Sequence, residues 1–277
     1  MSKYEKFGVG VGVNYKSSFS NEILKNIGNI DILEIHSEKF FLDEEDCYLD
    51  KCCKEIPIVF HGLDMSLGSD EDLDNNYLKK LKKIITDKEP KWYSDHLSAT
   101  RHGHIEVGHL MPIQFSIENY CKITDKIKKI RSEVNENFII ENITYYYEMP
   151  GSDMSEIDFI SNIIRDSDCG MLLDINNLYI NSMNHNFDPK DFLLKLPLDH
   201  IVEIHLAGGA YKFDMIVDTH ANNIWKEVWE LYEFALSKTD IYGVIIERDS
   251  NINDYTTIID EINIAREIYE RAYGKYK

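Results

Sequence analysis

Seven polar side chains of metal-ligand type sit at or near the ends of short apolar runs in this chain. His61 closes IVFHG, His96 closes WYSDHLS, Glu141 closes FIIENIT, His205 closes VEIHL and Glu247 closes YGVIIERD. Asp174 and Asn176 fall on MLLDIN. Imidazoles and carboxylates with no cysteine among them are hard nitrogen and oxygen donors, suited to iron, manganese or zinc. Taken singly, each is an ordinary hydrogen-bonded core residue. Taken together they are harder to explain without a cation. Glu141, Asp174 and Glu247 buried side by side would raise their own pKa values steeply, and a metal removes that cost.

Two further spacings enlarge the set. Asp174 and Asn176 are expected to point to one side of an extended strand, as are Asp218 and His220 in IVDTH if that segment is extended. The candidates then comprise four carboxylates, four imidazoles and one carboxamide. Nine donors exceed one six-coordinate ion, so two or three ions are implied. Two divalent ions neutralise the carboxylates, and a third leaves a positive site able to hold an anionic substrate or reduced oxygen. Glu34, His36 and Glu38 alternate in the same way and are expected to line the mouth, with His36 equally readable as a structural histidine. The segment TRHGHIEVGHLMP carries His102, His104 and His109, read as a long loop. Its histidines are open to three roles: further ligands, donors behind the ligands, or substrate contacts. A polar loop packed over the mouth is the plainer alternative.

The ligand candidates are scattered from His61 to Glu247, so the fold must gather them. Apolar runs at 8–13, 31–36, 57–61, 91–97, 137–142, 170–175, 200–206 and 241–247 are mostly continuous, as strands buried on both faces are. Between them, Leu73–Ile85, Ile113–Ile130, Asp153–Ile164, Asn223–Leu236 and Ile252–Tyr273 show helical spacing. Alternation of strand and helix implies parallel strands with crossover helices. Eight units in 277 residues predict one (β/α)8 TIM barrel over residues 1–277 as a single domain, with an open doubly wound sheet as the alternative. In such a barrel, strand C-termini meet at one mouth. Gly8, Gly10 and Gly12 do not make a dinucleotide fingerprint and are expected to make room inside the barrel.

The charge of −19 disfavours nucleic acid and anionic membrane surfaces as partners. Five cysteines, an odd number without a CxxC, fit a reducing, cytoplasmic setting. No run approaches the roughly 20 apolar residues of a membrane span. Neither a GxSxG nor a Walker motif occurs.

The strings SDHLS (94–98), IIENIT (139–144), LLDINNLYINSMNH (172–185), EIHLAG (203–208) and DTH (218–220) resemble the multinuclear non-heme iron-dependent oxidative enzymes. The best-known type is the catalytic subunit that makes oxazolone–thioamide groups in methanobactin. The resemblance runs in order through nearly the whole chain. It implies a TIM barrel binding two or three irons that uses dioxygen to oxidise a ribosomally made peptide, most often at cysteine. It makes His61, His96, Glu141, Asp174, Asn176, His205, Asp218, His220 and Glu247 the metal ligands. Glu141 and His96 of that set, with His102 of the segment after the fourth strand, are the residues expected in catalysis. It also implies a precursor peptide as substrate and a partner protein that recognises the leader.

Departures from that pattern lie near the mouth. The family usually reads HLAGH, and this chain has Gly209 at the second histidine. One metal position is then weakened or lost, or His185 or a loop histidine takes its place. Asn14, Tyr15 and Lys16 stand where the family usually has Arg, and Lys39 rather than Asn follows Glu38. The rival enzyme class is a divalent-metal barrel of the xylose-isomerase-like type, an isomerase or an endonuclease. A binding subunit that has lost a metal position is the non-catalytic alternative, resting on Gly209 alone.

Overall fold

A computed structural model describes residues 10–42, 45–103, 105–135, 137–250 and 255–274. Twelve strands are found among these residues: β1 (Gly10–Asn14), β2 (Leu33–His36), β3 (Ile58–Gly62), β4 (Tyr93–His96), β5 (Ala99–His102), β6 (Ile105–Met111), β7 (Phe138–Glu141), β8 (Gly170–Asp174), β9 (Ile201–Leu206), β10 (Ala210–Lys212), β11 (Met215–Val217) and β12 (Gly243–Ile246). Eight of them close a parallel barrel in the order β1-β12-β9-β8-β7-β4-β3-β2. These are the eight runs expected from the sequence, each within a few residues of its expected bounds. Gly8 and Val9 of the first run lie outside the described residues.

The helices are α1 (Ser20–Lys25), α2 (Cys47–Glu55), α3 (Asn75–Lys88), α4 (Ile117–Glu133), α5 (Glu156–Ser167), α6 (Ile175–His185), α7 (Pro189–Lys195), α8 (Lys226–Leu236) and α9 (Tyr255–Tyr273). Several start at carboxylate or hydroxyl caps: Asp46, Asp74, Ser116, Ser155 and Asp188 each accept from a first-turn backbone N–H. Their apolar faces pack on the barrel exterior and form the main core, with Ile127, Ile163, Val228 and Ile262 fully buried. The helical run expected from Ile252 begins at Tyr255 among the described residues.

The barrel interior is layered. Val59, Ile139, Leu172 and Ile245 stand two residues before His61, Glu141, Asp174 and Glu247, hence on the same inward face. With Ile32, Trp92 and Val202 they form a cluster separate from the main core. This apolar floor puts the polar residues at the C-terminal ends of the strands. Gly12 permits the closure beside it: a Cβ there would lie 1.7 Å from the carbonyl oxygen of Ile32.

One expectation of local structure is corrected. The segment after the fourth barrel strand is an antiparallel hairpin of β5 and β6 rather than a loop. A second hairpin, β10 with β11, precedes Asp218.

Candidate metal centre

Barrel register brings the strand-end residues level. His36 pairs with His61, His96 with Glu141, and Asp174 with His205. His61, Glu141, Asp174 and His205 are at most 2% exposed, and Glu247 is 6% exposed. Within this mouth the donors fall into overlapping groups.

In the first group, His61 Nε2 lies 3.2 Å from His96 Nε2, and both lie 3.3 Å from Glu141 Oε2. The His61 ring is oriented from behind. Ser94 donates to the Phe60 carbonyl at 3.3 Å, so its oxygen accepts from His61 Nδ1 at 2.7 Å. That network assigns the proton to Nδ1 and leaves the Nε2 lone pair facing Glu141. Burial, reinforced for His61 by the neighbouring His96, holds His61 well below the usual imidazole value and His96 at about 4. Both rings are therefore neutral donors at neutral pH.

The second group comprises Glu141, Asp174, His205 and Glu247, whose donor atoms lie within 4.8 Å of one another. His205 Nδ1 is 2.9 Å from Glu247 Oε2 and 3.8 Å from Glu141 Oε1. Its Nε2 is 2.8 Å from Glu34 Oε2. A third set surrounds His220 Nε2: Asp174 Oδ2 at 3.3 Å, Asp218 Oδ1 at 3.6 Å and Glu247 Oε2 at 3.6 Å. Asn176 donates through Nδ2 to Asp218 Oδ1 at 3.1 Å. All nine sequence-predicted ligands thus converge on the mouth.

The donor set fits bound cations. Glu141 Oε2, His205 Nδ1 and Asn176 Oδ1 are buried without a hydrogen-bond partner. Atoms held at about 2.1 Å by one ion lie about 3.0 Å apart at right angles and about 3.4 Å apart at tetrahedral angles. The three edges of the His61–His96–Glu141 group fall in that interval. Glu141 turns one oxygen toward this group and the other toward His205. Electrostatics agree. Burial pushes Glu141 well above the carboxylate range, with Asp174 and Glu247 adding to the rise. Burial also pushes Asp218 up to about 6. Against burial, which pulls it down, His205 is lifted well above its ordinary value by Glu34 and Glu247. Such a set of mutually dependent charges is what a divalent ion stabilises.

Some local readings change. Asp174 and Asn176 do not share an extended strand. Asp174 caps α6, accepting from Asn177 N at 2.7 Å, and Asn176 lies in the first turn of that helix. Nor is Asp218–His220 fully extended, because His220 has φ +43°. Glu38 leaves the line of Glu34 and His36, since β2 ends at His36. Its Oε1 instead accepts from Leu63 N at 2.8 Å and from the Tyr77 hydroxyl. His36 is half-buried with its ring 5.9 Å from that of His61.

His102 and His109 are exposed on the β5–β6 hairpin, outside the donor groups, and His104 lies outside the described residues. His109 helps line a cavity of about 360 Å³ with Leu63, Asp64, Thr100 and Leu110. His185 is no replacement for a ligand at Gly209. It ends α6, stacks on Tyr145 at 4.3 Å and bonds the Tyr145 carbonyl at 2.9 Å.

Two residues at the site, Glu203 and Asp249, lie outside the sequence-predicted set. Glu203 is fully buried, and its Oε2 accepts from Trp92 Nε1 at 2.8 Å. It stands two residues before His205, so period-two spacing could have found it. Asp249, two residues after Glu247, lies 3.7 Å from His220 Nδ1 and 2.6 Å from Lys16. Asn14 joins it through Nδ2 at 3.3 Å.

Known proteins place this geometry. A UPF0276 protein of Anaeromyxobacter sp. is 31% identical over 262 residues, covering 94% of this chain and 93% of its own length. One from Psychromonas ingrahamii is 32% identical over 273 residues, covering 96% and 95%. Among solved structures, a D-psicose 3-epimerase from Clostridium cellulolyticum gives a TM-score of 0.60 at 11% identity, covering 95% of this chain and 99% of its own. Endonuclease IV from Thermus thermophilus gives 0.58 at 12% identity, covering 95% and 98%. At those identities the likeness is one of fold. A family model described as "RiPP precursor modification enzyme MbnB/TglH/ChrH" matches residues 10–270. With a match over nearly the full chain, the protein belongs to the MbnB/TglH/ChrH family of RiPP precursor modification enzymes.

Proposed function

We propose that the chain uses iron and dioxygen to oxidise a cysteine of a ribosomally synthesised precursor peptide. The observation that carries this reading is the position of Glu141, whose two oxygens face two imidazole-bearing donor groups from a buried site with no thiolate ligand. His61 and His96 would share one ion with Glu141, and His205 and Glu247 would hold the next. Asp174 or Asn176, with Asp218 and His220, would hold a third. When bound, iron supplies the electrons that dioxygen takes up and a positive position for a cysteine thiolate.

The protein's own residues prepare that position. Burial keeps His61 and His96 neutral, so they bind without first losing a proton. Ser94 and Asp174 fix donors through their bonds to His61 and to the start of α6. His102 and His109 stand above, on an exposed hairpin suited to contacting a peptide rather than an ion. Recognition of the precursor leader by a partner protein belongs to the same proposal.

The test is oxygen uptake by anaerobically purified, ferrous-loaded protein given a cysteine-containing precursor peptide and its recognition partner. Uptake that depends on the peptide, with a mass change at cysteine, is expected. Oxygen-independent turnover of a sugar or a nucleic acid with zinc or manganese would overturn the reading in favour of the epimerase and endonuclease chemistry of the structural neighbours.

A further inference from the structure

We propose that Glu34 is a positioning residue: its carboxylate takes the Nε2–H of His205 and so presents Nδ1 as the nitrogen that binds metal. This rests on the reading that Glu141, Asp174, His205 and Glu247 hold an ion. The two side chains come from β2 and β9, which are separated by β1 and β12 in the barrel. Glu34 therefore reaches across the lumen to meet His205, and both are fully buried. Their contact, Nε2 to Oε2 at 2.8 Å, is a charge-assisted hydrogen bond. On the other edge of the ring, Nδ1 faces Glu247 at 2.9 Å and Glu141 at 3.8 Å and has no hydrogen bond of its own.

The arrangement differs from that at the other mouth histidines. His61, His96 and His220 turn Nε2 toward the carboxylates of the centre. For His61 the orienting group is the neutral Ser94 hydroxyl on Nδ1. Among these four histidines, only His205 turns Nε2 to a carboxylate outside the nine proposed ligands and leaves Nδ1 facing the centre. A carboxylate behind a ligating imidazole fixes its tautomer and raises its basicity. Below Glu34, Glu203 is anchored by the Trp92 indole, and its carboxylate belongs to one cluster with Glu34 and His205. A purely structural role in this layer would not require a charge, since burying an unshared carboxylate is costly.

Zinc(II), which is diamagnetic, is the probe. In ¹⁵N-histidine-labelled wild-type protein, one imidazole should show a metal-bound Nδ1 and a protonated Nε2, assigned to His205 by its loss in His205→Gln. Calorimetric zinc titration of Glu34→Gln should show one equivalent bound about 10- to 100-fold more weakly. The other equivalents and the circular dichroism of the metal-free protein should be unchanged, and Glu34→Asp should recover part of the affinity. Nε2 ligation of His205, or equal zinc affinity in Glu34→Gln, overturns this role while leaving the metal centre intact. Wild-type protein that binds no zinc at all overturns both. Should Glu34→Gln fail to fold, the wild-type spectrum decides alone.

Discussion

Glu141 and Gly209 mark two limits of what single residues impose on this site. Glu141 sits between the donor groups, and its role follows from position on β7. Gly209 stands where the resembled family carries a histidine, and its backbone is not in the left-handed region. Space is the obstacle instead. A Cβ at 209 would lie 2.9 Å from the Val217 carbonyl oxygen, 3.1 Å from Ile180 and 3.2 Å from Trp225. Gly209→His is therefore expected to destabilise the fold by about 1–3 kcal/mol, as overpacking does, without raising metal occupancy. A thermal melt with metal analysis checks this; an unchanged Tm with an added equivalent of iron would show that the pocket opens. The residue types of the centre were readable in the sequence because hard donors at strand ends share one direction. Glu203 and Asp249 were not read, although each lies two positions from a chosen ligand. Asp249 also lies beyond the end of β12, where strand alternation no longer applies.

Elements decide which histidines reach the donor groups. The β5–β6 hairpin lifts His102 and His109 away from the donor groups. His102→Ala and His109→Ala are each expected to lower turnover several-fold with metal content unchanged, measured as oxygen uptake and bound iron in the same preparation. Loss of a full metal equivalent in either variant would make that histidine a ligand. Gly103 and Gly108 interrupt the hairpin and β6 is mostly exposed, so no buried face imposes a period and the sequence alone resembles a loop. Helix α6 is masked in the sequence for a different reason. The run through Leu172, Leu173 and Ile175 stays apolar across the strand-to-helix boundary, and only the cap at Asp174 signals the change.

At the start of α5, Glu156 offers an independent test of the packing. Burial pushes its carboxyl up to about 7, although the Tyr145 hydroxyl, 3.0 Å away, pulls the other way. The folded state thus keeps a proton that an unfolded chain releases near the ordinary glutamate value of 4.5. Between those values the folded state binds more protons, so this group's contribution to stability is present at low pH and lost as pH rises toward 7. Glu156→Gln should flatten that loss relative to wild type, by on the order of 2 kcal/mol across the window. Denaturant titrations of both proteins at a series of pH values measure it; parallel curves would mean that Glu156 ionises normally.

For the molecule as a whole, the barrel is legible because eight buried parallel strands leave eight runs that are mostly continuous and apolar. Strand order follows from right-handed crossovers between neighbours. What the chain does with −19 net charge is a question of partners. That charge repels a polyanion such as a nucleic-acid backbone. No helix among the described residues is long and apolar enough to cross a membrane.

The proposed multinuclear centre is organised around Glu141. Its most direct test is iron content, by elemental analysis, of anaerobically purified wild-type and Glu141→Ala proteins of equal helical content. The wild type should carry about two to three irons per chain, the number expected from its donors at octahedral coordination. Glu141→Ala should lose more than one equivalent, because its carboxylate faces two donor groups. Full iron retention in Glu141→Ala would contradict the account.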